Sequence, residues 1–163
     1  MPERIVWRII THHGDKERLL KWSLENGQIA LGWNLVGDLS NYKSPEAITA
    51  AVVRLDPNNR NKHVSGIQLW NFYRKLQTGD LVILSTGGRR EAVVEVTGGY
   101  SFAGDKFEND HLYAHRRSAK LRSDLDADVL WRSAGGADLA LGQNIRWAFV
   151  QCGTPVDGDT LPN

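Results

Sequence analysis

Two β-rich runs separated by Thr86-Gly87-Gly88-Arg89-Arg90 constrain the fold of this chain more than any other feature. Leu81 to Ser85 is a continuous apolar run. Glu91 to Phe102 carries Val93, Val94 and Val96 and then Tyr100 and Phe102, so the pair predicts a β-hairpin closed by the glycine turn. Gly98-Gly99 interrupts the second arm and predicts a bulge or a sharp bend.

The elements around the hairpin set the fold class. Arg4 to Thr11 reads as a first strand, with His12-His13-Gly14 as its exit, and Asp15 opens a helix that Asn26-Gly27 ends. Gln28 to Asn34 reads as a second strand. Ser44-Pro45-Glu46 places a capping hydroxyl, a first-turn proline and an acid ahead of Ile48, Ala51, Val52 and Leu55, which share one helical face. Asp56-Pro57-Asn58-Asn59-Arg60-Asn61 breaks that helix. A third begins near Ser65, with Leu69, Phe72, Tyr73 and Leu76 at helical spacing, and Thr78-Gly79-Asp80 ends it. After the hairpin come a charged loop over 103–110, a strand over 112–121, a mixed segment with a short helix over 124–140, and a last strand over 145–152. This is an α+β order, which predicts a small curved sheet or partial β-barrel with helices packed outside. Residues 1–153 read as one domain and 154–163 as a flexible tail or the start of a linker.

A net charge of +1 supplies no overall basic field, so any binding to polyphosphate has to rest on a local patch and a specific pocket. The single cysteine, Cys152, excludes an internal disulfide and fits a reducing cytoplasm. No signal-like or membrane-spanning stretch is present, so the expected location is cytoplasmic, with no membrane partner.

Ile29-Ala30-Leu31-Gly32-Trp33-Asn34 places a large ring where an apolar strand gives way to a polar loop closing on Gly37-Asp38-Leu39-Ser40. Such a ring can be a stacking platform, with Asn34, Asp38 and Ser40 able to read the edge of a planar ligand. Burial in the core is the competing explanation of a lone tryptophan. Arg89-Arg90 at the hairpin turn and Arg116-Arg117 on a strand are the basic pairs that could hold phosphates, although alternation would send one of the second pair inward. Metal chemistry is poorly supplied: Asp80 with Glu91 or Glu95 lacks the lysine of a restriction-type nuclease, and neither His12-His13 nor His111 with His115 forms a convincing zinc set. No metal and no cofactor are expected.

These pieces, in this order, resemble the PUA-like superfamily. They are most similar to the EVE and YTH type of modified-base reader found at the N-terminus of McrB- and Mrr-like modification-dependent restriction proteins. The carriers are Trp7-Arg8-Ile9-Ile10, Ile29 to Trp33 with Asp38-Leu39-Ser40, Gln68-Leu69-Trp70-Asn71-Phe72 running into Thr78 to Ile83, Val94 to Tyr100, and His115-Arg116-Arg117. The resemblance spans roughly residues 4 to 150 and implies a non-catalytic module that takes a methylated or hydroxymethylated base, flipped from DNA, into an aromatic cage. It implies Trp33 as the stacking ring, Asn34, Asp38 and Ser40 as a polar lip, Thr11 and His12 at the pocket floor, and Tyr100 or Phe102 as the second wall. Arg89, Arg90, Arg116 and Arg117 would then meet the backbone, and a nuclease or ATPase would be the effector. Two alternatives stand beside it: a reader of modified RNA, and a small metal-dependent nuclease or hydrolase using Asp80, Glu95 and one of His12, His111 or His115.

Overall fold

The computed structural model describes residues 3–12, 14–104, 113–137 and 146–157. Its sheet has six strands in the order β3-β6-β5-β4-β2-β7: β2 Val6–Ile10, β3 Gln28–Leu31, β4 Leu81–Thr86, β5 Arg89–Phe102, β6 His115–Leu121 and β7 Phe149–Gln151. Every pairing is antiparallel except that of β2 with β4. The sheet curves but does not close, which makes this a mixed α+β protein.

Strict alternation buries both faces. Trp7, Ile9, Val82, Leu84, Val94 and Val96 enter the larger core, with α2 (Pro45–Leu55) and α3 (Ser65–Trp70) supplying its opposite wall. Val6, Leu81, Ile83 and Val93 point the other way, onto α4 (Ala127–Ser133) through Leu130 and Trp131. The first helix, α1, spans Lys16–Asn26 and is capped by Gly27 in the left-handed conformation at φ 62°. Ser44 Oγ accepts from the Ala47 amide (3.1 Å) at the start of α2, as the Ser-Pro-Glu signature predicts. Helices α2 and α3 cross without side-chain spacing at Gly66, where a Cβ would overlap the Pro45 carbonyl and Thr49 Oγ1.

The hairpin forms at Gly87 (φ 50°) and Gly88 (φ 90°), and the β5–β6 register shifts between Val96 and Tyr100, where Gly98-Gly99 lies. Three elements differ from the sequence expectation. The third helix changes pitch: after Trp70 a π-type turn covers Asn71–Lys75, closed by the Leu76 amide donating to the Asn71 carbonyl (2.8 Å). Strand β3 stops at Leu31, because Trp33 turns the chain into the left-handed region. In the segment read as a tail, Val156–Asp157 forms β8, antiparallel to β1 at Glu3–Arg4. Among the described residues no helix is long and apolar enough to cross a membrane.

Candidate functional site: a cleft between the sheet edges

Strands β3 and β7 are the two edges of the open sheet, and their ends meet at one cleft of about 190 Å³ lined by Gly32, Trp33, Asn59, Asn61, Tyr113 and Ala148. Gly32 and Trp33 follow one edge strand and Ala148 precedes the other. The asparagines come from the loop between α2 and α3. Gly32 allows a close approach, since a Cβ there would stand 3.0 to 3.3 Å from the Tyr113 ring, which would have to give by a few tenths of an ångström. Tyr113 in turn stacks on His12, with centroids 4.4 Å apart and planes at 21°.

Trp33 adopts φ 61° and ψ 47°, the one positive φ outside glycine among the described residues. Such a conformation costs an L-residue about 1–2 kcal/mol, so the surroundings must impose it. They do so through a relay. The Leu39 amide donates to Tyr100 Oη (3.0 Å), Oη lies 2.8 Å from His115 Nδ1, and Nε2 lies 3.2 Å from the Trp33 carbonyl oxygen. A carbonyl only accepts, so Nε2 carries the proton, Nδ1 is bare, and the Tyr100 hydroxyl donates to it. His115 is fully buried, and burial pushes its imidazole down to about 4, against the opposing pull of the Trp33 carbonyl and Asp38. Burial likewise raises the Tyr100 phenol above its usual range. The relay is neutral, and it holds Trp33 by its backbone. The ring is half-buried against the core, and its Nε1 donor is buried without an acceptor among the described residues.

Of the residues expected at a pocket, Trp33 is the one that lines the cleft. Asn34 is adjacent, and its Oδ1 accepts from the Ala114 amide (2.9 Å), which fixes the chain leading away from Tyr113. Asp38 Oδ1 accepts from the amide (2.9 Å) and hydroxyl (2.8 Å) of Ser40, so these two cap a short turn, and neither is among the residues lining the cleft. Thr11 is buried and donates to the Lys16 carbonyl (2.6 Å). His12 reaches the cleft only through Tyr113, while its Nδ1 accepts from the Gly14 (2.9 Å) and Asp15 (2.8 Å) amides ahead of α1. Tyr100 acts from behind, in the relay, and Phe102 packs on His115 at 5.3 Å.

The arginines separate as well. Arg117 is buried, donating to the carbonyls of Gly98 (2.9 Å), Phe72 (2.9 Å) and Leu76 (2.8 Å). It satisfies oxygens that the bulge and the π-type turn expose, which withdraws it from the phosphate-contacting set. Arg116 is also buried, 4.2 Å over the Trp22 ring and donating to the Tyr113 carbonyl (3.1 Å). Arg90 pairs with Asp128 (2.6 Å) and lies over Trp131, on the α4 side. Arg89 remains exposed, with Glu91 3.5 Å away.

The carboxylates of the hydrolase alternative are engaged elsewhere. Asp80 Oδ2 accepts from Trp7 Nε1 (3.1 Å) and the Gln77 amide (3.0 Å). Burial raises the pKa of Glu95, but hydrogen bonds from Arg4 and Arg122, both at 2.8 Å, win and hold it below the usual carboxylate range. Among the described residues no group of three or more His, Cys, Asp or Glu is placed to hold a metal ion. His13 and His111 lie outside the described residues. Cys152 is buried, and burial pushes its thiol up to about 12, far from a reactive thiolate.

Tyr113, Asn59, Asn61 and Ala148 escape a sequence reading because Tyr113 and Ala148 fall inside segments read as strands, which in the structure begin only at His115 and Phe149, and the asparagines fall in a helix breaker. The one available signal is the density of asparagine at 58, 59 and 61. Arg60, between the two cleft asparagines in sequence, is exposed.

No curated protein matches this chain. A family model described as a domain of unknown function, DUF8426, matches residues 7–130, from β2 into α4, and takes in every cleft residue except Ala148. The match covers most of the chain, which therefore belongs to the DUF8426 family.

Proposed function

We propose that this protein is a PUA-like reader of the EVE/YTH type, which binds a methylated or hydroxymethylated base extruded from DNA and catalyses nothing itself. The observation that carries this reading is Trp33, an indole fixed in a strained backbone conformation on the wall of a cleft between sheet edges. Strain of that kind concentrates at binding sites. The volume is below the about 300–1,000 Å³ typical of pockets for drug-sized ligands, which suits one heterocycle rather than a whole nucleotide.

Trp33 supplies the stacking face, worth about 1–3 kcal/mol per base, and Tyr113 and the two asparagines supply edge contacts. Burying one extra methyl adds about 0.8 kcal/mol, near fourfold in affinity; stronger selectivity comes from the asparagine amides. Arg60 and Arg89 are the exposed cations assigned to the flanking phosphates. A nuclease or ATPase partner supplies the response.

Competition binding tests this. Short DNA duplexes carrying one 5-methylcytosine, 5-hydroxymethylcytosine or N6-methyladenine should outcompete the unmodified duplex. A preference for the matching modified RNA would move the same pocket to an RNA reader, and equal binding of all would remove the reading.

A further inference from the structure

Leu35 is 65% exposed, more than Leu121, Leu55 or Leu24, the other exposed large apolar side chains among the described residues. An isolated exposed leucine is ordinary on a protein surface. Its place sets this one apart, because it is the middle residue of the short 3-10 turn Asn34–Val36 that starts directly after Trp33.

That turn is held from several sides. The Val36 amide donates to the Trp33 carbonyl (3.3 Å) and the Gly37 amide to the Asn34 carbonyl (3.1 Å). Tyr42 Oη donates to the Val36 carbonyl (2.7 Å), Asn34 Oδ1 holds the Ala114 amide (2.9 Å), and the Val36 side chain is buried. Leu35 is thus presented to water by a fixed support two residues from the stacking ring. Asn34, Ser40 and Asn41, close to it in sequence, are polar and exposed.

An apolar side chain projecting singly beside a base pocket has a specific use when the base leaves a duplex. Extrusion opens a gap in the stack, and wedges such as leucine stabilise such openings by inserting between base steps. We propose that Leu35 is the wedge that enters the space left by the extruded base, which makes double-stranded DNA, not a single strand, the substrate of this site. The inference rests on the reading of the cleft as a base pocket.

The test compares wild type, Leu35→Ala and Leu35→Phe on a 5-methylcytosine or N6-methyladenine duplex and on the same modified strand without its complement. Leu35→Ala should lose about tenfold in affinity for the duplex while single-strand binding stays within about twofold. Leu35→Phe, still an apolar wedge, should keep duplex binding. If wild type prefers the modified duplex but Leu35→Ala binds duplex as tightly, or loses both forms alike, the wedge is overturned and the pocket stands. Were wild type to show no preference for modification in either form, both would fall together.

Discussion

His115 Nε2 lies 3.2 Å from the carbonyl oxygen of Trp33, so a fully buried imidazole holds the one non-glycine residue with left-handed backbone among those described. The indole is thereby aimed from behind. Tyr100 and Leu39 complete the support without lining the cleft.

Removing the Tyr100 hydroxyl tests that support. Tyr100→Phe leaves the Leu39 amide and His115 Nδ1 without their partner, and unfolding in urea should show a loss of about 1–3 kcal/mol. Unchanged stability would mean that the relay does not hold the turn.

The buried imidazole also predicts a pH dependence. Its folded pKa is depressed from 6.5 to about 4, so the unfolded chain binds the extra proton across that interval. Its contribution is fully present above about pH 6.5 and is lost as pH falls toward about 4, a total of about 3 kcal/mol. The slope of stability against pH in this window should be shallower in His115→Gln than in wild type. Equal slopes would show that His115 titrates normally.

Arg117 and Arg60 should fail in opposite ways. Arg117→Met strands two buried carbonyls and a partly buried one and should cost about 2–4 kcal/mol of stability. Arg60→Ala should leave stability within about 0.5 kcal/mol and lower the salt slope of DNA binding by about one. Thermal melts paired with titrations at two salt concentrations separate the two roles.

Trp33 can be dissected by comparing two truncations. Both Trp33→Ala and Trp33→Gly delete the ring, but only glycine adopts φ 61° without a Cβ penalty. Trp33→Gly should therefore be the more stable variant by about 1 kcal/mol in urea. Equal stabilities would mean that the turn relaxes and the strain is not imposed.

The sequence was legible where local signals agree. The hairpin at Gly87-Gly88, the Ser44-Pro45 helix start and the Gly98-Gly99 bulge each have a local cause, and each is present. Trp33 was legible because a ring at a strand end is a local pattern. The cleft as a whole was not, since its walls come from positions 32, 59, 61, 113 and 148, which only the tertiary fold of sheet ends and the α2–α3 loop brings together. Alternation along β6 announced that one of Arg116-Arg117 would turn inward, but not what Arg117 would meet there. Basic residues signal phosphate contacts only when exposed, and the carbonyls that take up Arg117 exist because a π-type turn and a bulge meet there, which no periodicity announces.

The most direct measurement is the affinity ratio between a singly modified DNA duplex and its unmodified counterpart, taken for wild type and for folded Trp33→Gly. The account predicts a ratio above about fourfold for wild type with the preferred base and a ratio near one for the variant. A wild-type ratio of one across 5-methylcytosine, 5-hydroxymethylcytosine and N6-methyladenine, or an undiminished ratio without the indole, would contradict it.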